Sequence, residues 1–73
     1  MTKIILVDNK SIHIEGYKHI VIMDESVVRL KCGKRILNIE GSNLAIETLC
    51  NMELNIYGII EKVAWMDKNS LDT

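Results

Sequence analysis

Chemistry at neutral pH needs an imidazole, a thiol or a carboxylate pair held near a substrate. The 73-residue chain supplies two histidines, two cysteines and ten acidic residues for that work. His13 alternates with Ile12 and Ile14, so its side chain leaves the face those isoleucines share, and His19 precedes the apolar run that begins at Ile20. Both read as surface histidines, because neither has a second ligand at the spacing of known metal sites. Cys32 continues the series Val28, Leu30 and reads as a small buried hydrophobe, while Cys50 stands at the end of a segment. Without a C-x-x-C pair the usual zinc and redox spacings are missing. Glu15, Glu40, Glu47, Glu53 and Glu61 fall at polar positions of alternating segments, as on a solvated face. An acid pair formed across two strands stays open, since spacing along the chain does not reveal it. The sequence therefore gives no catalytic residue, no metal ligand and no cofactor. An enzyme with a site completed across an interface would have only His13, His19 and these glutamates to draw on.

Nine basic residues against ten acidic ones leave a formal net charge of −1, far from the basic excess of a nucleic-acid binder. One Trp, two Tyr and no Phe provide little for base stacking. A small β-barrel nucleic-acid-binding module is thus the rival reading rather than the leading one. Positive charge concentrates only around one hairpin, at Arg29, Lys31, Lys34 and Arg35. Those four residues read as a sheet edge guarded by charge, or as a docking site for an acidic partner. The apolar run Ile4–Val7 is too short to span a bilayer or to form the core of a secretory signal. The expected location is the cytoplasm, with reduced cysteines and no direct membrane insertion.

These residues have to be positioned by strands. Apolar side chains recur at every second position in Ile12–Ile14, Val28–Leu30–Cys32, Leu37–Ile39, Leu44–Ile46 and Met52–Leu54–Ile56, the signature of antiparallel strands with one wet face. Turn residues separate the runs: Asp8-Asn9, Asp24-Glu25-Ser26, Gly33-Lys34, Gly41-Ser42-Asn43 and Asn51. Gly33-Lys34 suits a type II′ turn joining Val27–Cys32 to Arg35–Glu40. Ile4–Val7 is apolar on both faces, as an interior or an intersubunit strand would be. The expected fold is all-β, a small antiparallel β-sandwich or partly open β-barrel of about seven to eight short strands. A single domain over residues 1–67 precedes a polar tail at 68–73.

One ending recurs, apolar-polar-Ile-polar-Gly, at Gly16, Gly41 and Gly58, and with Gly33 these glycines read as structural turns or bulges rather than a phosphate loop. Past Gly58 the apolar parity changes between Ile60 and Val63, so a bulge near Glu61-Lys62 is expected. Trp65, the largest apolar side chain, reads as an anchor of the core or of an interface. So small a domain buries little surface and leans on something more, and two cysteines and two histidines make oligomerisation the best candidate.

Taken in order, Ile12-x-Ile14-x-Gly16, the Asp24-Glu25 turn before Val27-Val28-x-Leu30, the Gly33 hairpin, Leu37-x-Ile39-x-Gly41-x-x-Leu44 and Ile56-x-Gly58-x-Ile60-x-x-Val63-x-Trp65 resemble the YabP/YqfC family of sporulation proteins. The likeness covers roughly residues 5 to 67, with Trp65 where the family usually has Tyr or Phe. It implies a non-enzymatic role in maturation of the endospore envelope or spore coat, in the mother-cell cytoplasm. It brings no catalytic residues. The implied partners are further copies of the chain and other sporulation proteins, a membrane-spanning one among the candidates, which would hold the chain at the periphery of the forespore membrane.

Overall fold

The computed structural model describes residues 1–49 and 51–66. Cys50 and the expected tail lie outside the described residues. Six strands form one antiparallel sheet: β1 (Lys3–Val7), β2 (Ser11–Glu15), β3 (His19–Met23), β4 (Val27–Cys32), β5 (Arg35–Thr48) and β6 (Glu53–Met66). Their spatial order is β1-β2-β6-β5-β4-β3, which leaves β1 and β3 as the two free edges among the described residues.

The fold is all-β and antiparallel, as expected, and takes the form of one open sheet rather than a two-sheet sandwich, with six strands among the described residues in place of seven or eight. The difference comes from Gly41-Ser42-Asn43 and Gly58, which bend strands instead of ending them. Leu37–Ile39 and Leu44–Ile46 consequently lie on one strand, β5, and Leu54–Ile56 and Ile60–Trp65 on another, β6. Backbone approaches backbone closely at this bend: a Cβ on Gly41 would collide with the Ile59 carbonyl, and one on Gly58 would lie 2.6 Å from the Asn43 carbonyl oxygen. Gly58 also takes a φ of +135°, and Asn43 a φ of +53°, a region L side chains seldom occupy.

The bend divides the sheet into two halves. One joins β1 and β2 to the first part of β6 and the last part of β5; the other joins β4 and β3 to the remaining parts. Each outer hairpin holds the bend of one long strand through its turn. The amides of Gly58 and Ile60 donate to the carbonyls of Lys10 (3.1 Å) and Asn9 (2.8 Å), and those of Gly41 and Leu44 to Ser26 (3.0 Å) and Glu25 (2.8 Å).

Inward residues of both halves form a single cluster: Ile12, Ile14, Leu54 and Ile56 from one, Val28, Leu30, Leu37 and Ile39 from the other, with Leu44 and Ile60 at the bend. Several of these are fully buried although no helix is present among the described residues. The sheet therefore covers itself, and burial of these side chains at about 1.5–3 kcal/mol each drives the closure.

The Gly33 hairpin pairs Cys32 with Arg35 and Val27 with Glu40, the expected register. Gly33 has φ +65°, as the first central residue of a type II′ turn must. The expected bulge is also found: Glu40 faces Lys62 while Gly41 faces Ile60, so Glu61 is the extra residue. Ile4–Val7, read as interior or intersubunit, is an edge strand of its own chain.

Candidate functional site

Three surfaces collect the polar and exposed apolar side chains. On the outer face of the first half, strand pairing sets Glu15 opposite Glu53, and His13 opposite Asn55, which in turn faces Glu47. Two carboxylates directly across a ladder repel, and His13 lies between them. Its Nε2 is 3.0 Å from Glu15 Oε2 and 3.6 Å from Glu53 Oε1, and its Nδ1 donates to Asn55 Oδ1 at 2.7 Å. The same Asn55 amide donates through Nδ2 to Tyr57 Oη and to Glu47 Oε1. With an acceptor oxygen at each ring nitrogen, the imidazolium is the form that satisfies both, because a neutral ring has one donor only.

The His13 pKa is accordingly raised, first by the Asn55 hydrogen bond, then by the Glu15 hydrogen bond and the charges of Glu15 and Glu53. Partners that favour the charged ring oppose its use as a general base. One nitrogen and two carboxylates within 4.8 Å of one another are also donors that suit a divalent cation, and the Nε2 proton satisfies the same carboxylates. The link His13-x-Glu15 was visible as two residues on one strand face. Glu53 and Asn55 were not, since only the β2–β6 register brings them near. His19 belongs elsewhere, on β3 opposite Lys31.

The second surface is the outer face of the other half. Arg29 Nε donates to Asn38 Oδ1 at 3.0 Å, Asn38 Nδ2 donates to Glu40 Oε2 at 2.6 Å, and Lys62 Nζ approaches Glu40 at 4.0 Å. Asn38, only 3% exposed, is thereby satisfied at both ends of its amide.

The four basic residues singled out in the sequence do not share one surface. Lys31 faces the same side as Arg29, Lys34 sits at the turn, and Arg35 follows the inward parity of Leu37, its guanidinium 4.6 Å from the centre of the Trp65 ring. Nor do they guard an edge, because β4 and β5 are both interior. Trp65 lies opposite Leu37 at the rim, 38% exposed under Arg35. Gly16 ends β2, Gly33 makes the hairpin turn, and Gly41 and Gly58 make the bend.

The third surface consists of the free edges. β1 exposes Ile5, Leu6 and Val7, and β3 exposes Val21, Ile22 and Met23. Cys32, by contrast, is buried, its thiol hydrogen-bonded with Thr2 just ahead of β1 and its pKa raised by burial.

The model of the YabP family matches residues 1–72, nearly the whole chain. This chain belongs to the YabP family. Membership fits a sporulation-related protein, in a family not known as enzymatic. No curated protein and no solved structure matches the chain. In this YabP-family domain no helix among the described residues is long and apolar enough to cross a membrane.

Proposed function

We propose that the chain is a non-enzymatic assembly factor of endospore formation, working in maturation of the envelope or coat through self-association and contacts with other sporulation proteins. The observation that supports this reading best is the pair of free sheet edges, each with large apolar side chains in solvent. Apolar edge strands are templates for another chain, and proteins that do not use them normally blunt them with charge or proline. Family membership supplies the sporulation context. Action from the mother-cell cytoplasm, with attachment to the forespore membrane through a membrane-spanning partner, belongs to the same proposal.

The His13 cluster has a structural role in this reading. Its imidazole lies between two carboxylates that β2–β6 pairing brings together. The distribution of basic residues over two faces and a turn also favours protein contacts over the tracking of a nucleic-acid backbone. The test is deletion of the gene in its endospore-forming host, with counts of heat- and lysozyme-resistant spores and imaging of a fluorescent fusion. Resistant spores should fall while growth is unaffected, and the fusion should collect around the developing spore. Normal spores, or a fusion spread over the nucleoid, would contradict the proposal.

A further inference from the structure

We infer that β1 is a self-complementary edge through which two copies of the chain pair antiparallel about Ile5, making a closed dimer with one continuous sheet. This rests on the self-association reading above and adds the edge, the register and the symmetry.

The two free edges differ in regularity. β1 runs beside β2 through five consecutive partners, Lys3 with Glu15 to Val7 with Ser11, without a break. β3 changes register between Ile20 and Ile22, so that Val21 is an extra residue. Such a bulge twists an edge and interrupts its hydrogen-bonding row. The regular edge is also unguarded: it carries no proline, and its one charged residue, Lys3, sits at the end. Ile5 is 43%, Leu6 50% and Val7 56% exposed, so apolar surface lies open on both sides of the strand.

Symmetry then fixes the partner's register. When two identical strands pair antiparallel about a two-fold axis perpendicular to the sheet, directly opposed residues share a face and so have the same parity. Centring on Ile5 is the choice that pairs all five residues of β1. Ile5 meets Ile5, Ile4 meets Leu6, and Lys3 meets Val7, with no like charges opposed. The interface uses the same strand on both copies and closes at two. Each copy keeps its bulged β3 edge free.

The test is a cysteine placed on the axis. Ile5→Cys in a Cys50→Ser background sets two thiols directly across the proposed pair, where Cα atoms of antiparallel strands are about 4.5–5.5 Å apart, within disulfide reach. Ile22→Cys in the same background is the control on β3, and Cys32 is buried. Light scattering gives the mass of the unsubstituted chain and of Ile5→Lys, whose folding is checked by a thermal melt. Expected are a dimer, at least a tenfold weaker association for Ile5→Lys, and rapid cross-linking of Ile5→Cys but not of Ile22→Cys. A multimer that cross-links through Ile22 and not Ile5 would overturn the β1 interface while keeping self-association. A monomer at tens of micromolar would overturn both.

Discussion

Replacing Gly58 with alanine tests the bend that lets one sheet cover itself. At φ +135° an added Cβ would lie 2.6 Å from the Asn43 carbonyl oxygen. Forcing an L-residue into such backbone costs about 1–3 kcal/mol, and relieving the overlap costs about 1–3 more. The total, roughly 4 kcal/mol, is a large part of the stability of a domain this size, about 4–11 kcal/mol at the usual value per residue.

Gly33→Ala is the internal control. Its φ is +65° and nothing lies within 4 Å of the added methyl, so only the left-handed backbone is penalised, by about 1–2 kcal/mol. With an unfolding entropy of roughly 150 cal/mol/K for the whole chain, the expected falls in Tm are about 10 °C for Gly33→Ala and about 25 °C for Gly58→Ala. Thermal melts followed by circular dichroism, supported by urea unfolding, measure both. Equal losses, or a tolerated Gly58→Ala, would refute the claim that backbone packs against backbone at the bend.

Three further outcomes are expected. His13 has a folded pKa above its unfolded value, so its interactions stabilise fully below about pH 6.5 and are lost as pH rises through the raised folded value; melts of the native chain and of His13→Asn should converge at alkaline pH. The Cys32 thiol, buried with its pKa pushed up, should react with a disulfide reagent only on unfolding, which a Cys50→Ser chain shows in a timed assay with and without denaturant. Ile56→Ala removes a fully buried side chain from the shared cluster and should cost about 2–5 kcal/mol in urea unfolding, whereas Ile59→Ala, 49% exposed, should cost far less.

Local pattern and turn chemistry made much of the fold legible. Alternation placed Ile12, Ile14, Val28, Leu30, Leu37, Ile39, Leu54 and Ile56 inward, and Gly33-Lys34 set the register of β4 and β5. The parity change after Gly58 disclosed the bulge at Glu61. What alternation could not separate was a strand that bends from one that ends. A glycine closing an apolar-polar-Ile-polar run serves both, and the choice at Gly41 and Gly58 depends on a close backbone approach between segments distant in the chain. The His13 cluster was hidden for a related reason: Glu15 shares its strand, but Glu53 and Asn55 reach it only through the β2–β6 register. Hairpin spacing gathers the basic residues in sequence, while strand parity sends Arg35 to one face and Arg29 and Lys31 to the other.

The claim that the chain works by pairing with proteins rather than by catalysis is tested most directly by rescue of a deletion strain, scored as heat-resistant spores. One complementing chain carries His13→Asn, Glu15→Gln and Glu53→Gln together, and another carries Ile5→Lys alone, with both levels checked by immunoblot. The account predicts that the triply substituted chain, which lacks the His13–Glu15–Glu53 cluster, restores resistant spores, and that Ile5→Lys does not. Rescue by Ile5→Lys and failure of the triple substitution at equal protein level would contradict it.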